Sequence, residues 1–554
     1  MSRITKRDNA RRQPPTVSPA VTSVLHERVT PLLDRYALLL VILLIAIGSA
    51  RIIATYTVFN HTVDEPGHIA SGMEWLERGT YTFDTQHPPL SRIAAAIGPY
   101  LSGCRLQGTP KPDDLWSLWA QGAKVLYYGH NYDHNLAVSR LGMLPFFWIA
   151  CLAVYWWGVR YFSRPIGVIA LFVFSFTPSI LAHAGFSTTD MALTAFFALS
   201  FLTGLIWVEQ PTVRHATWFG IATGLMVLSK YSCLAFFPVV VALALVWYVV
   251  SRRPAFAVLL RQAKDRAPSF ALAVVISVVL IWAGFRFSLG PLFQGIHDVQ
   301  SHMEHGHLSY LLGETRTTGF WDFYFISIFF KTPIGLLALL AIGLWLLLRK
   351  YPPARNLWIP FLFCVGILLV GMTSPINIGI RHVLPVHVGF SLIAAVAVVR
   401  LLELGQSKKW AWALLSGLML WFAISSVLAH PDYVAYFNEM AGSEPEKILV
   451  DSDLDWGQDM KRLSARLKEL HVTQINWLSS EYADFEGQHG FPHVTSALRS
   501  PNAPLPGWNA IGVNSWKMGF VTWPNYFQPK ERVGKSILLW YFPPTGQALP
   551  EIHY

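Results

Sequence analysis

A chain of 554 residues with 53% hydrophobic and only 14% charged side chains is too apolar for a soluble enzyme. Its net charge of +10 is carried by connections between apolar stretches, which argues against a nucleic-acid surface as the source of the excess. What remains is a polytopic membrane protein whose chemistry is confined to polar segments at the ends of its spans.

Residues 1–35 form a basic, Pro-containing tail with Arg3, Lys6, Arg7, Arg11 and Arg12, read as disordered and cytoplasmic. A helix needs roughly 20 apolar residues to cross a bilayer, and about eleven windows reach or approach that length. They run over 36–55, 141–159, 165–182, 191–208, 216–230, 233–250, 269–288, 331–348, 357–373, 383–402 and 411–428. The first follows a long basic tail and lacks a small-residue cleavage site, so it is read as retained. The predicted fold class is an all-α polytopic membrane domain of about 11 helices over 36–428, with a first outer loop at 56–140. A soluble α/β domain over 429–554 follows.

Lys and Arg concentrate in alternate connections, such as Arg160 with Arg164, Arg252 to Arg266, and Lys408 with Lys409. The positive-inside bias puts these in the cytoplasm, with the N-terminus. The Asp64 loop, 183–190, 289–330, 374–382 and the C-terminal domain then face outward. In that domain Lys447 to Val450 reads as a strand, Met460 to Leu470 as an amphipathic helix and Ile475 to Leu478 as a second strand, together a βαβ unit. A Pro, Gly and Asn-rich stretch, about 486–509, precedes a strand at Ser536 to Phe542. The four cysteines predict no disulfide.

Topology gathers ionisable residues on one rim. The first outer loop holds Asp64, Glu65, His68, His87 and Arg92; the next holds His183 and Ser187-Thr188-Thr189-Asp190, and Lys230 lies at a span end. Later segments add His302, Glu304, His305, His307, Lys331, Arg381 and His382. A carboxylate can deprotonate a hydroxyl or amine, and cations can stabilise a departing phosphate. Nucleotide sugars are cytoplasmic, so an outward-facing transferase would draw its sugar from a lipid-linked phosphate.

Asp64-Glu65 after the first span, and His87-Pro88-Pro89-Leu90 with Arg92 two positions on, resemble the acidic pair and the His-Pro-Pro-Leu-x-Lys element of protein O-mannosyltransferases. Arg stands where that family has Lys. The position of Asp190 also resembles that family and the aminoarabinose transferases of lipid A, all of the GT-C class of glycosyltransferases. The resemblance covers about the first 230 residues, is looser beyond, and stops at the C-terminal domain. It implies inverting transfer of a sugar, mannose first, from a polyprenyl-phosphate donor to a protein, lipid or envelope-glycan acceptor. Asp64 would be the catalytic base and Glu65 its partner. Arg92, Lys230, Lys331, Arg381 and His382 would bind the donor phosphate, with Arg381 favoured for its bidentate fork. His87 and Asp190 would form a substrate or second acidic site. No cofactor is certain; a divalent metal ion on Glu65 and Asp190 is an analogy with some GT-C members.

Other roles compete. Asp64 and Asp190 could cap helices, His87-Pro88-Pro89 could set a turn, and Lys230 and Lys331 could snorkel. His302-x-x-His305-x-His307 offers zinc-ligand types in a spacing that fits no standard site. Asp451-Ser452-Asp453 is expected to be a turn or surface charge. As a class, a secondary transporter or a non-catalytic subunit presenting the C-terminal domain competes with an enzyme.

Overall fold

The structure is a computed structural model describing residues 30–111, 114–478 and 488–544; the basic tail therefore lies almost wholly outside the described residues. Every apolar window coincides with helix. Among the described residues, seven helices are long and apolar enough to cross a membrane, and up to nine if each bent pair is one span. The difference from about eleven has local causes. Ala37–Ile53 and Val213–Val227 are apolar but only 17 and 15 residues long. Two other windows fall on broken helices: Arg164–Phe176 with Pro178–Ala184, bent by 66°, and Phe323–Lys331 with Ile334–Leu348, bent by 117°. Pro178 and Pro333 stand at the breaks, where a missing amide hydrogen and the ring's bulk end one helix and start another.

Cys233–Arg252 and Phe256–Gly284 are the most apolar spans, yet only 17% and 11% of their windows are buried. Apolar faces of that extent left bare by the protein require a lipid solvent. Phe256–Gly284 nonetheless packs closely on Val213–Val227. Gly220 and Gly224 lack the Cβ that would strike Ala273 and Ser277, and Ser277 Oγ donates to the Gly220 carbonyl at 2.8 Å. This is the close approach that small residues four apart permit between membrane helices.

The C-terminal region has two short-range surprises. Lys447 to Val450 is not a strand. Pro445–Lys447 and Asp451–Asp453 are 3₁₀ turns, and Ile448, Leu449 and Val450 between them are buried without ladder partners. The helix is present as Met460–Glu469. A hairpin in the membrane domain supplies β1 (Ser309–Leu311) and β2 (Glu314–Arg316). The C-terminal sheet comprises β3 (Gln474–Leu478), β4 (His493–Ser496), β5 (Gly507–Gly512), β6 (Glu531–Val533) and β7 (Ile537–Phe542), in the order β4-β3-β5-β7-β6. Its first three neighbours are parallel and the rest antiparallel. The stretch read as a Pro/Gly/Asn-rich break therefore holds β4 and the start of β5.

Side chains alternate across a strand, and β7 uses both faces. Ile537 and Leu539 join the hydrophobic core that runs down through the membrane helices, while Leu538, Trp540 and Phe542 pack with Trp523 and Ile511 in a second core. The sheet thus has a small core of its own on one side and rests on the helical bundle by the other.

Candidate active site

Helix Asp64–Arg78 begins at the acidic pair, and its two acids part at once. Glu65 points inward. Arg140 grips it with Nε on Oε1 and Nη2 on Oε2, both at 2.8 Å; the Ser187 amide adds a bond to Oε1 at 2.9 Å and the Thr62 amide one to Oε2 at 2.7 Å. Both side chains are 0% exposed. Burial alone would raise the Glu65 pKa, but the Arg140 charge and these four donors hold it below the usual carboxylate range. Glu65 therefore staples three loops through Arg140, a pairing the sequence reading did not include, and neither of its oxygens is directed to Asp64.

Asp64 keeps some contact with solvent and is 27% exposed. It opens its helix, yet its carboxylate is spent on Arg381, whose Nη1 donates to Oδ2 at 2.9 Å. Asp190 opens Asp190–Glu209 in the same way: it is fully buried, takes Lys230 Nζ on Oδ1 at 2.6 Å, and has Arg381 Nη1 3.9 Å from Oδ2. Arg381 thus joins two carboxylates from different helices. His87 feels the charges of Arg92, Lys230, Asp190 and Arg381, and His382 those of Lys230, Arg381 and Asp190; burial together with these cations lowers both half-buried imidazoles well below their ordinary value. Neutral imidazoles leave Lys230 and Arg381 as the cations beside Asp190.

Two expected phosphate ligands are committed elsewhere. Arg92 is buried, with Nε on His68 Nδ1 at 3.1 Å, Nη1 on the Tyr81 hydroxyl at 3.0 Å and the Asp84 carbonyl at 2.5 Å, and Nη2 on the Asp84 carboxylate. It ties down the loop before Pro89–Leu101, the helix that Pro88 caps and Pro89 opens. Lys331 donates to the carbonyls of Val434 at 2.6 Å and Asp453 at 2.5 Å, over the Phe437 ring. Among the described residues, no group of three or more His, Cys, Asp or Glu is arranged to hold a metal ion. The oxygens of Glu65 and Asp190 are already taken by cations and amides.

Asp451-Ser452-Asp453 forms the turn that was one of its two expected readings, but it carries no surface charge and continues into a buried run through Leu454-Asp455-Trp456-Gly457-Gln458-Asp459: Ser452, Asp453, Asp455, Trp456 and Asp459 are each at most 1% exposed. Arg381 Nε donates to Ser452 Oγ at 3.0 Å, and the guanidinium lies 4.3 Å from the centre of the Trp456 ring. Asp453 takes the Ile380 amide at 3.0 Å and the Ser327 hydroxyl at 3.1 Å. Gly379, at φ 144°, has no Cβ to collide with Ser452. On the other side Asn60 Nδ2 donates to the Gly457 carbonyl at 2.7 Å, the Met460 amide donates to Asn60 Oδ1 at 2.8 Å, and the Val63 amide to the Trp456 carbonyl at 3.3 Å. One segment thus braces Arg381 and the start of the Asp64 helix together. Asp451, at φ 56°, is a buried carboxyl beside Arg381 and Asp64; burial, with the neighbouring Asp64 and Asp453 charges, pushes it up to about 7 against the pull of Arg381. Burial likewise pushes Asp455 up to about 7. The signal available in the sequence was four acids in nine residues interleaved with Leu454 and Trp456, a density of apolar partners unusual for an exposed turn.

No family profile and no curated protein matches the chain. In structure it is similar to ArnT from Cupriavidus metallidurans bound to undecaprenyl phosphate, at 13% identity over 90% of this chain and 97% of that one, with a TM-score of 0.49. It is also similar to the S. cerevisiae protein O-mannosyltransferase Pmt1-Pmt2 complex bound to the sugar donor, at 17% identity, 46% of this chain, 34% of that one and a TM-score of 0.34. A third is the archaeal oligosaccharyltransferase AglB from Archaeoglobus fulgidus in complex with an inhibitory peptide and a dolichol-phosphate, at 12% identity, 87% of this chain, 70% of that one and a TM-score of 0.42. All three are GT-C glycosyltransferases, the class whose motifs the first outer loop resembles.

Proposed function

We propose that the chain is an inverting glycosyltransferase that takes a sugar from a polyprenyl-phosphate-linked donor on the outer face of a bacterial inner membrane. The observation that supports this most is the sharing of Arg381 between the partly exposed Asp64 and the buried Asp190–Lys230 pair. It sets a carboxylate that a solute can reach beside cations that can hold phosphate. In the resting site Arg381 neutralises Asp64. A donor phosphate entering between Arg381, Lys230, His382 and His87 competes for that guanidinium and releases Asp64 toward the acceptor.

Asp64 then takes the proton of the acceptor hydroxyl or amine, whose lone pair forms the new bond to the anomeric carbon. The bond from that carbon to the phosphate oxygen breaks, its electron pair leaving with the polyprenyl phosphate. One displacement inverts the anomeric centre. Mannose is the sugar the motif resemblance suggests first, and a protein hydroxyl, a lipid or an envelope glycan is the acceptor. No divalent ion is assigned a step.

The test is turnover of radiolabelled polyprenyl-phosphate sugars by the purified full-length protein. Asp64→Asn, isosteric and uncharged, is expected to lower transfer by at least about 100-fold, the scale of a lost general base, with an unchanged melting profile. Full activity in that variant would exclude Asp64 as the base. A protein that transports a solute and leaves the donor intact would exclude the whole reading.

A further inference from the structure

Three helices that begin or end at the candidate site meet again at their other ends. Ile334–Leu348 leads away from Lys331, Val386–Gly405 leads away from Arg381, and Lys409–Leu428 returns toward the C-terminal region. Their far ends enclose a cavity of about 630 Å³. Its wall is apolar, with Trp345, Leu401 and Leu414 contributed by the three helices in turn, and its rim carries Arg349, Lys350 and Lys408.

The charge on that rim is unbalanced. A fourth cation of the cavity, Arg400, is satisfied locally: it donates to Glu403 Oε2 at 2.9 Å and lies over the Tyr351 ring. Arg349, Lys350 and Lys408 pair with no carboxylate among the described residues, although Arg349 lies 5.6 Å over the Trp345 ring. Lys350 also occupies, at φ 55°, the left-handed position after a helix end that Gly or Asn normally fills. Trp345 and Trp410 at the cavity are 54% and 55% exposed, as indoles at a membrane interface are. Orientation signals need cations on this side of the membrane, but they do not need a concave apolar wall beneath them. Three cations with no carboxylate partner above an apolar hollow have the polarity of a lipid: phosphate at the rim, acyl chains within.

We propose that this cavity binds one anionic glycerophospholipid of the surrounding leaflet, its phosphate among Arg349, Lys350 and Lys408 and its chains against Trp345, Leu401 and Leu414. A zwitterionic lipid brings an ammonium group to the same rim and is disfavoured. The site is independent of the reaction proposed at the opposite end of the bundle.

Native mass spectrometry of the full-length protein in detergent, titrated with phosphatidylglycerol or phosphatidylethanolamine of matched chains, tests this. Phosphatidylglycerol is expected to be retained in preference. The triple variant Arg349→Gln, Lys350→Asn, Lys408→Gln is expected to weaken it about 100-fold, since each cation at a lipid surface contributes a factor of about five. Phosphatidylethanolamine binding should be unmoved. Leu414→Trp, which fills the hollow and keeps every cation, should expel the lipid too, so the proposal stays testable if the triple variant does not fold. Equal retention of the two lipids, or undiminished phosphatidylglycerol binding in both variants, would overturn the proposal. So would inorganic phosphate binding as tightly as the lipid, or undecaprenyl phosphate displacing it at equal concentration.

Discussion

Glu65→Gln changes one oxygen to an amide, and the structure says what that costs. Each Glu65 oxygen accepts two bonds, from Arg140 and from the amides of Ser187 and Thr62. In the variant the new NH₂ faces two donors, whichever way the amide is flipped, so two buried donors lose their acceptor. At about 1–3 kcal/mol for each orphaned group, and with Arg140 left as a buried cation that has lost its counter-charge and keeps only the remaining amide oxygen and the Phe59 and Asn60 carbonyls, the loss is of order 3–5 kcal/mol. That is a large part of the stability of an ordinary domain. The assay is thermal unfolding in detergent of Glu65→Gln, Arg140→Leu, and the double variant Glu65→Leu with Arg140→Leu. Both single changes should lower the melting temperature and the yield of folded protein, and the double change should recover part of the loss, because it removes both charges at once. Activity per folded molecule in Glu65→Gln should fall much less than in Asp64→Asn. An unchanged melting temperature with activity abolished would refute this reasoning and return Glu65 to the chemistry.

Ser452→Ala removes the acceptor of Arg381 Nε, and is expected to raise the donor KM by about tenfold or more while leaving kcat within about twofold, since a hydrogen bond from a charged donor contributes about 1.5–3 kcal/mol; Ser452→Thr should restore it, and a kcat effect alone would contradict the assignment. Asp451 holds its proton to about pH 7, so donor affinity should fall as pH rises through that value and a negative charge appears beside Arg381; Asp451→Asn should flatten the profile. The same raised values at Asp451 and Asp455 bear on folding: an acid whose folded pKa lies above its unfolded one favours the folded state below the unfolded value, and this contribution is lost as pH rises from about 4 to about 7. Melting temperatures across that window, with Asp455→Asn expected to lose its share of the slope and the double change with Asp451→Asn both shares, check this. Lys331→Met should destabilise the protein without selectively raising the donor KM, because its ammonium serves the Val434 and Asp453 carbonyls.

The helices were legible because apolar length is a one-dimensional signal: each of the eleven windows lands on helix. What the windows could not show was bending, which depends on how Thr177-Pro178 and Thr332-Pro333 meet their neighbours. The acidic pair was legible as a site of interest, but not the division of labour within it. Asp64 and Arg381 lie 317 positions apart, and Glu65 and Arg140 75 apart. Nothing local to Asp64-Glu65 says which acid turns inward. Arg92 and Lys331 were read as free cations because their acceptors, several of them backbone carbonyls, leave no mark in a sequence. The turn at Asp451-Ser452-Asp453 was legible, but its burial was not, for the opposite reason. Acids usually signal exposure, and only the fold shows that the Ser327 hydroxyl and the backbone amides of Ile380, Lys535 and Ser536 take them up.

The bracing of Arg381 by Ser452 and Trp456 has a consequence for biogenesis. During synthesis, Asp64 and Asp190 leave the ribosome and enter the membrane long before their shared arginine, and the residues that hold that arginine emerge later still. The carboxylates and cations of the site would therefore remain apart until the last quarter of the chain had folded onto the bundle. A polypeptide ended at residue 430 would be less an enzyme without a docking module than an unfinished pocket, silent toward any donor it met in the membrane.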